Sequence, residues 1–139
     1  SWQRRLRNIA YFPKRSQVRR FMSEVILPAM KMVEAELTKQ NTASSTDDSA
    51  EDRIRFEVNL GEELNFVYEV RLRPYLQPTF ALVGMADEER SEEQKYYRAE
   101  VYLKEGGQDY DVMSWTQEQI IHDILDQYEK HLHFLHLVR

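Results

Sequence analysis

The chain has 139 residues, 42% hydrophobic and 31% charged, enough for one domain with a moderate core. It contains no cysteine, which excludes disulfides, thiolate metal sites and cysteine nucleophiles. Its net charge of −5 is unevenly spread: the first 23 residues carry seven Lys or Arg and no acid, while the other 116 hold 12 basic and 24 acidic residues.

The opening, SWQRRLRNIAYFPKR, mixes Arg4, Arg5, Arg7, Lys14 and Arg15 with Trp2, Leu6, Ile9, Tyr11 and Phe12, and Pro13 ends whatever conformation it holds. Such a segment is expected to meet something anionic, and Arg19 and Arg20 extend it. No signal-peptide pattern follows, and no apolar run approaches the roughly 18–20 residues of a membrane span. Ser16 then suits the cap of a helix running to about Gln40. Val18, Phe21, Met22, Val25, Ala29, Met32, Val33 and Leu37 form its apolar stripe. Pro28 falls inside that stripe and is expected to kink or break the helix.

Residues 41–52, NTASSTDDSAED, contain no large apolar side chain and read as a flexible, solvated loop. Two alternating segments follow. Ile54, Phe56, Val58 and Leu60 alternate with polar residues, and beyond Gly61 Phe66, Tyr68, Val70 and Leu72 alternate with Asn65, Val67, Glu69 and Arg71, which predicts a hairpin with one wet face. A weaker strand is expected at Phe80–Val83 and an acidic loop at 84–95. Tyr97, Ala99, Val101 and Leu103 then alternate again, and Tyr110 and Val112 lie beyond a double glycine. The chain closes on a helix with Ile120, Ile121, Ile124, Leu125, Tyr128, Leu132 and Leu135 on one face. Asp123, Asp126, Glu129 and Lys130 fall on or near the other. The economical fold is α+β: a two-layer sandwich with four to five antiparallel strands and the N- and C-terminal helices on one sheet face.

Chemical motifs are sparse. Gly106-Gly107 matches neither a Walker loop nor a dinucleotide fingerprint, and reads as a turn needing positive φ. Asp109 and Asp111 share a strand side but lack the further oxygen ligands of a calcium loop, so solvent-facing carboxylates are expected. Trp115, Thr116, Gln119 and Ile120 compose a capping box and hydrophobic staple. His122, His131, His133 and His136 do not converge as zinc ligands, and near a helix C-terminus they have a dipole rationale. Tyr96, Tyr97, Tyr102 and Trp115 could cage a quaternary ammonium, but their spread over strands suits packing. No G-x-S-x-G elbow or paired catalytic group is present, so no enzyme, cofactor or metal site is expected.

One long string is specific beyond its structural roles. Tyr96-Tyr97-Arg98, Glu100-Val101, Glu105-Gly106-Gly107-Gln108, Tyr110-Asp111-Val112-Met113, Thr116, Glu118-Gln119-Ile120-Ile121 and Asp123 through Leu135 resemble the cytoplasmic C-terminal extension of BetT-type choline transporters. These belong to the betaine/choline/carnitine transporter family. The resemblance is clear over 96–137, and FPKRSQVRRFMSEVILPAM is similar to the region after the last membrane helix of that group.

The resemblance implies a parent protein that imports choline, coupled to a cation gradient, for osmoprotectant synthesis, with an extended C-terminal domain associated with osmotic regulation. The family's substrate and ion sites lie among its membrane helices, so none is carried onto this chain. What is implied is a regulatory domain on the cytoplasmic face of the bacterial inner membrane. Its partners would be the membrane-embedded part of the same transporter, anionic phospholipid and further copies of itself.

The charge asymmetry agrees independently, since segments just cytoplasmic of a bilayer are rich in Lys and Arg, with Trp at the interface. The expected contact residues are Arg4, Arg5, Arg7, Lys14, Arg15, Arg19 and Arg20, with residues 1–15 as a juxtamembrane segment and 16–139 as the regulatory domain. Two other readings stay open: a small-ligand sensor using the tyrosines, and a nucleic-acid-binding domain, which the acidic body and lack of a groove-reading motif disfavour.

Overall fold

The structure is a computed structural model that describes residues 1–3, 5, 11–78 and 94–137. Three helical stretches form one continuous rod: α1 (Arg15–Phe21), a π-helical segment (Met22–Ile26) and α2 (Leu27–Lys39). A sheet follows, made of β1 (Ser44–Asp47), β2 (Arg53–Val58), β3 (Phe66–Leu76), β4 (Lys95–Leu103) and β5 (Tyr110–Asp111). The chain then forms α3 (Gln117–Phe134). Among the described residues the strands lie in the order β1-β2-β3-β4-β5, every neighbour antiparallel, so the expected α+β fold is present.

One core joins the layers. Ile54, Phe56 and Val58 of β2, Phe66, Tyr68, Val70 and Leu72 of β3, and Tyr97, Ala99 and Val101 of β4 lie on one sheet face, as their alternation requires. Against them pack Val18, Phe21, Met22, Ile26, Ala29, Met30 and Val33 of the first rod and Ile120 and Ile124 of α3. Burying each of the larger aliphatic or Phe side chains contributes about 1.5–3 kcal/mol.

The first helix departs from its sequence reading at both ends of the stripe. It starts at Arg15, because the Lys14 N–H donates to Gln17 Oε1 (2.8 Å) and the Gln17 N–H bonds back to the Lys14 carbonyl (3.0 Å); Ser16 is not the cap. Pro28 neither breaks nor ends the rod. A π turn precedes it, with the Leu27 N–H reaching the Met22 carbonyl five residues back. The wider turn relaxes the crowding that a proline ring imposes on the carbonyl four residues earlier. It also inserts one residue, which advances the helical phase by about 100°. The buried set therefore moves to Ile26 and Met30, while Val25 is only partly covered and Met32 is 53% exposed. The rod ends on Asn41 at φ 59°, with the Thr42 N–H bonded to the Leu37 carbonyl (2.9 Å), a Schellman closure.

The segment read as a loop at 41–52 holds β1, which pairs Ser44 with Val58 and Thr46 with Phe56. Its polar composition hid it, but a short polar edge strand is one way a sheet avoids pairing with other chains. The hairpin from β2 to β3 turns at Gly61, at φ 107°, where Asn65 Oδ1 accepts from the Leu60 N–H (2.9 Å).

Strand β3 runs through Pro74, a residue that usually interrupts a ladder. Pro74 faces Tyr97, whose N–H points away to the Pro13 carbonyl (2.9 Å), so the two form a non-hydrogen-bonded pair and the missing proline N–H costs the ladder nothing. The weak strand expected at Phe80–Val83 and most of the acidic loop lie outside the described residues. The double glycine does serve the turn between β4 and β5, at φ 97° and 104°.

Candidate functional site: a basic, aromatic entry to the sheet

Of the seven expected contact residues, Arg4 and Arg7 lie outside the described residues. Arg5, Lys14, Arg19 and Arg20 are exposed and Arg15 is half-buried. Arg15 and Arg19 stand one helical turn apart on α1. The Arg15 guanidinium lies 3.7 Å from Glu51 Oε2, and Arg19 borders a shallow depression shared with Asp48, Glu51 and Arg53. The acidic stretch after β1 thus supplies internal counter-charge to the basic helix. Exposed pairs of this kind are worth about 0–1 kcal/mol and weaken with salt, so an external anion can exchange for them.

The stretch ahead of α1 is fastened to the sheet. Pro13 is buried, and its carbonyl accepts the Tyr97 N–H on the free side of β4. Phe12 meets Tyr96 edge to face at 5.1 Å, and Tyr96 stacks on Tyr75 at 5.5 Å. The Arg98 guanidinium lies over the Tyr75 ring (4.8 Å) and near that of Tyr96 (5.8 Å), and reaches the Glu100 carboxylate at 3.6 Å. Tyr75 donates to Glu100 Oε2 at 2.6 Å, a bond that holds the phenol above its ordinary pKa. Residues 12 and 13 thus contact β4 directly, and β3 through the Tyr96–Tyr75 stack. Trp2, Tyr11 and Phe12 remain exposed beside the cations, a combination of rings and positive charge suited to an anionic interface.

The remainder of that sheet face is less wet than the alternation predicts. Glu69 is fully buried, its carboxylate 3.5 Å from Arg55 and hydrogen-bonded by Arg71, which in turn lies over the Tyr102 ring at 3.7 Å. The two guanidinium groups offset the cost of burying a carboxylate.

Two further features escaped the sequence reading. Asp123, assigned to the outer face of the last helix, turns inward and accepts from the Tyr68 and Tyr110 hydroxyls, both at 2.6 Å. Burial first, then the Asp123 carboxylate, pushes the Tyr68 phenol far up, and Tyr110 is raised for the same reasons. His131 is likewise buried, its Nε2 2.7 Å from the Leu64 carbonyl. His122 sits on the surface 3.7 Å from Glu118, and His136 adopts φ 58° in the closing turn of α3. Asp111 is exposed and accepts the Met113 N–H (3.1 Å). The capping box forms as read: the Gln119 N–H donates to Thr116 Oγ1 (3.1 Å) and the Thr116 N–H to Gln119 Oε1 (2.8 Å). Among the described residues no group of three His, Cys, Asp or Glu could hold a metal ion, and no helix is long and apolar enough to cross a membrane.

Fold and entry segment together define an α+β domain joined through a basic, aromatic lead-in. Comparison with known proteins places it further: the chain is similar over its whole length to part of several bacterial glycine betaine and choline transporters. It is 37% identical over 140 residues to a glycine betaine transporter of Acinetobacter baylyi, and 34% identical over 145 residues to the osmo-dependent choline transporter BetT2 of the same organism. It is 36% identical over 145 residues to the high-affinity choline transport protein of Escherichia coli K12. Each match takes in 100% of this chain and spans 20–21% of the relative, so the chain corresponds to about a fifth of these proteins. No family model matches the chain.

Proposed function

We propose that this chain is a regulatory domain on the cytoplasmic face of a secondary-active choline or glycine betaine transporter, modulating osmoprotectant uptake under osmotic stress. The observation that carries the reading is the continuous homology to a fifth of such transporters, entered through a segment with seven cations and no acid. Residues 1–15 act as the juxtamembrane segment and 16–139 as the domain. Arg4, Arg5, Arg7, Lys14, Arg15, Arg19 and Arg20 contact anionic phospholipid or the membrane-embedded part of the same protein. The domain's role is to bias a conformational equilibrium, not to catalyse a reaction, and its association with further copies is compatible with that role.

The energetics suffice. A basic residue near an anionic bilayer contributes about 1 kcal/mol, and moving a gate from 1:99 to 99:1 takes about 5.5 kcal/mol. Several such contacts, made or lost together, span that range. Hyperosmotic stress concentrates internal ions, which screen the contacts and release the bias. Arg15 has a ready alternative partner in Glu51, 3.7 Å away, when the membrane contact is released.

Uptake in proteoliposomes by the transporter with and without residues 1–139, across an internal salt series, tests the proposal. The intact protein is expected to show a salt-dependent activation that the truncated one lacks. Identical curves would remove the regulatory role.

A further inference from the structure

The helices pack on one face of the sheet, and the outer face carries more arginine than its carboxylates match. Alternation with the buried Ile54, Val70, Leu72 and Ala99 puts Arg53, Arg71, Arg73 and Arg98 together on that outer face. The register then sets like charges opposite each other twice: Arg53 faces Arg71 between β2 and β3, and Arg73 faces Arg98 between β3 and β4. Like charges directly opposed across strands are destabilising, so an anion laid over both pairs relieves them.

The carboxylates of this face are engaged elsewhere. Glu57 and Glu69 flank Arg55 at 3.7 and 3.5 Å, Glu69 also bonds Arg71, and Glu100 lies 3.6 Å from Arg98. Asp111 accepts the Met113 N–H. Arg53 and Arg73 are exposed and form no ion pair among the described residues, although Asp48 and Glu51 border the depression that Arg53 shares with Arg19. The patch is continuous with the entry segment: Arg98 lies over Tyr75, Tyr75 stacks on Tyr96, and Tyr96 meets the 40% exposed Phe12. Cations and half-buried tyrosines on one flat strand surface have the composition of a contact with a membrane interface. The helical layer instead presents Glu36 and Glu118, 64% and 85% exposed, which an anionic surface repels.

We infer that the outer sheet face is a second membrane-docking surface, on which Arg53, Arg73 and Arg98 meet the phosphates of anionic phospholipid and Tyr75 and Tyr96 lie at headgroup level. The inference rests on the lipid contact proposed above and adds an orientation to it: the sheet faces the bilayer, and α2 and α3 face away.

Co-sedimentation of the chain with vesicles containing phosphatidylglycerol, and with vesicles of phosphatidylcholine alone, tests the orientation. Binding is expected to the anionic vesicles only. Arg53→Gln/Arg73→Gln should weaken it about thirtyfold, roughly fivefold per arginine, with a Tm no lower than that of the native chain because opposed charges are relieved. Arg53→Lys/Arg73→Lys should retain the binding, since a lipid surface reads point charge. Lys31→Gln/Lys39→Gln, which removes two exposed cations from the helical layer, should weaken it by less than about twofold. An equal loss in the lysine variant would make net charge, not this face, the determinant and overturn the orientation. Native binding that ignores Arg53→Gln/Arg73→Gln would remove the sheet face and leave the entry-segment contact standing, whereas a native chain that binds no vesicle would remove both. Capture of a single-stranded oligonucleotide through the same two arginines, with vesicles unbound, would reassign the face to nucleic acid.

Discussion

Asp123 shows how much a single side chain can differ from its helical-wheel position. By spacing it belongs beside Asp126 and Glu129 on the wet face, yet it takes both tyrosine hydroxyls and anchors α3 to β3 and β5. Nothing along the sequence pairs residue 68 with residue 123; only the assembled sheet brings the two rings beneath the helix. Tyr68→Phe should lower stability by about 1.5 kcal/mol, the worth of a hydrogen bond to a charged acceptor, in urea unfolding at neutral pH. The pH dependence has a definite sign. With both phenols raised in the folded chain, their contribution is complete below the unfolded value of about 10 and is lost as pH rises beyond it. Stability should therefore fall steeply from about pH 10 upward, less so in Tyr68→Phe, and a flat profile in the native chain would contradict it.

At the scale of elements, local chemistry was legible where it was self-contained. The cap at Thr116 depends on residues three apart and forms as read; Thr116→Ala should cost about 1 kcal/mol, measured by thermal unfolding. The hairpins were equally visible, because alternation and glycine coincide. The π turn was not, because Pro28 announces a disturbance without saying how the backbone will absorb it, and the inserted residue then shifted the buried face onto Ile26 and Met30. Strand β1 was hidden for a different reason: its partner side, not its own composition, makes Ser44–Asp47 a strand.

The fastening of Phe12 to Tyr96 is also an element-scale feature, joining the entry segment to β4. A double-mutant cycle with Phe12→Ala and Tyr96→Ala should return a coupling of about 0.5–1.5 kcal/mol. Additive losses would mean that the segment is not held by that contact.

Across the whole molecule, the fold class was readable because two amphipathic helices and several alternating segments leave few ways to bury one face. The candidate site was readable only as charge. Seven cations in the opening residues stood out, but the pairing of Arg15 with Glu51, and the path through Pro13 to Tyr97, depend on contacts between residues far apart in sequence. These contacts give the regulatory proposal its mechanical content: on that proposal the basic helix would exchange partners, and the aromatic junction would pass the displacement to the sheet. The most direct measurement is choline uptake by the full transporter against internal salt, comparing the native protein with Arg15→Gln/Arg19→Gln/Arg20→Gln. With those contacts already weakened, activation should begin at lower salt and rise less steeply. A triple variant whose activation curve superimposes on that of the native protein would contradict the role assigned to the basic segment.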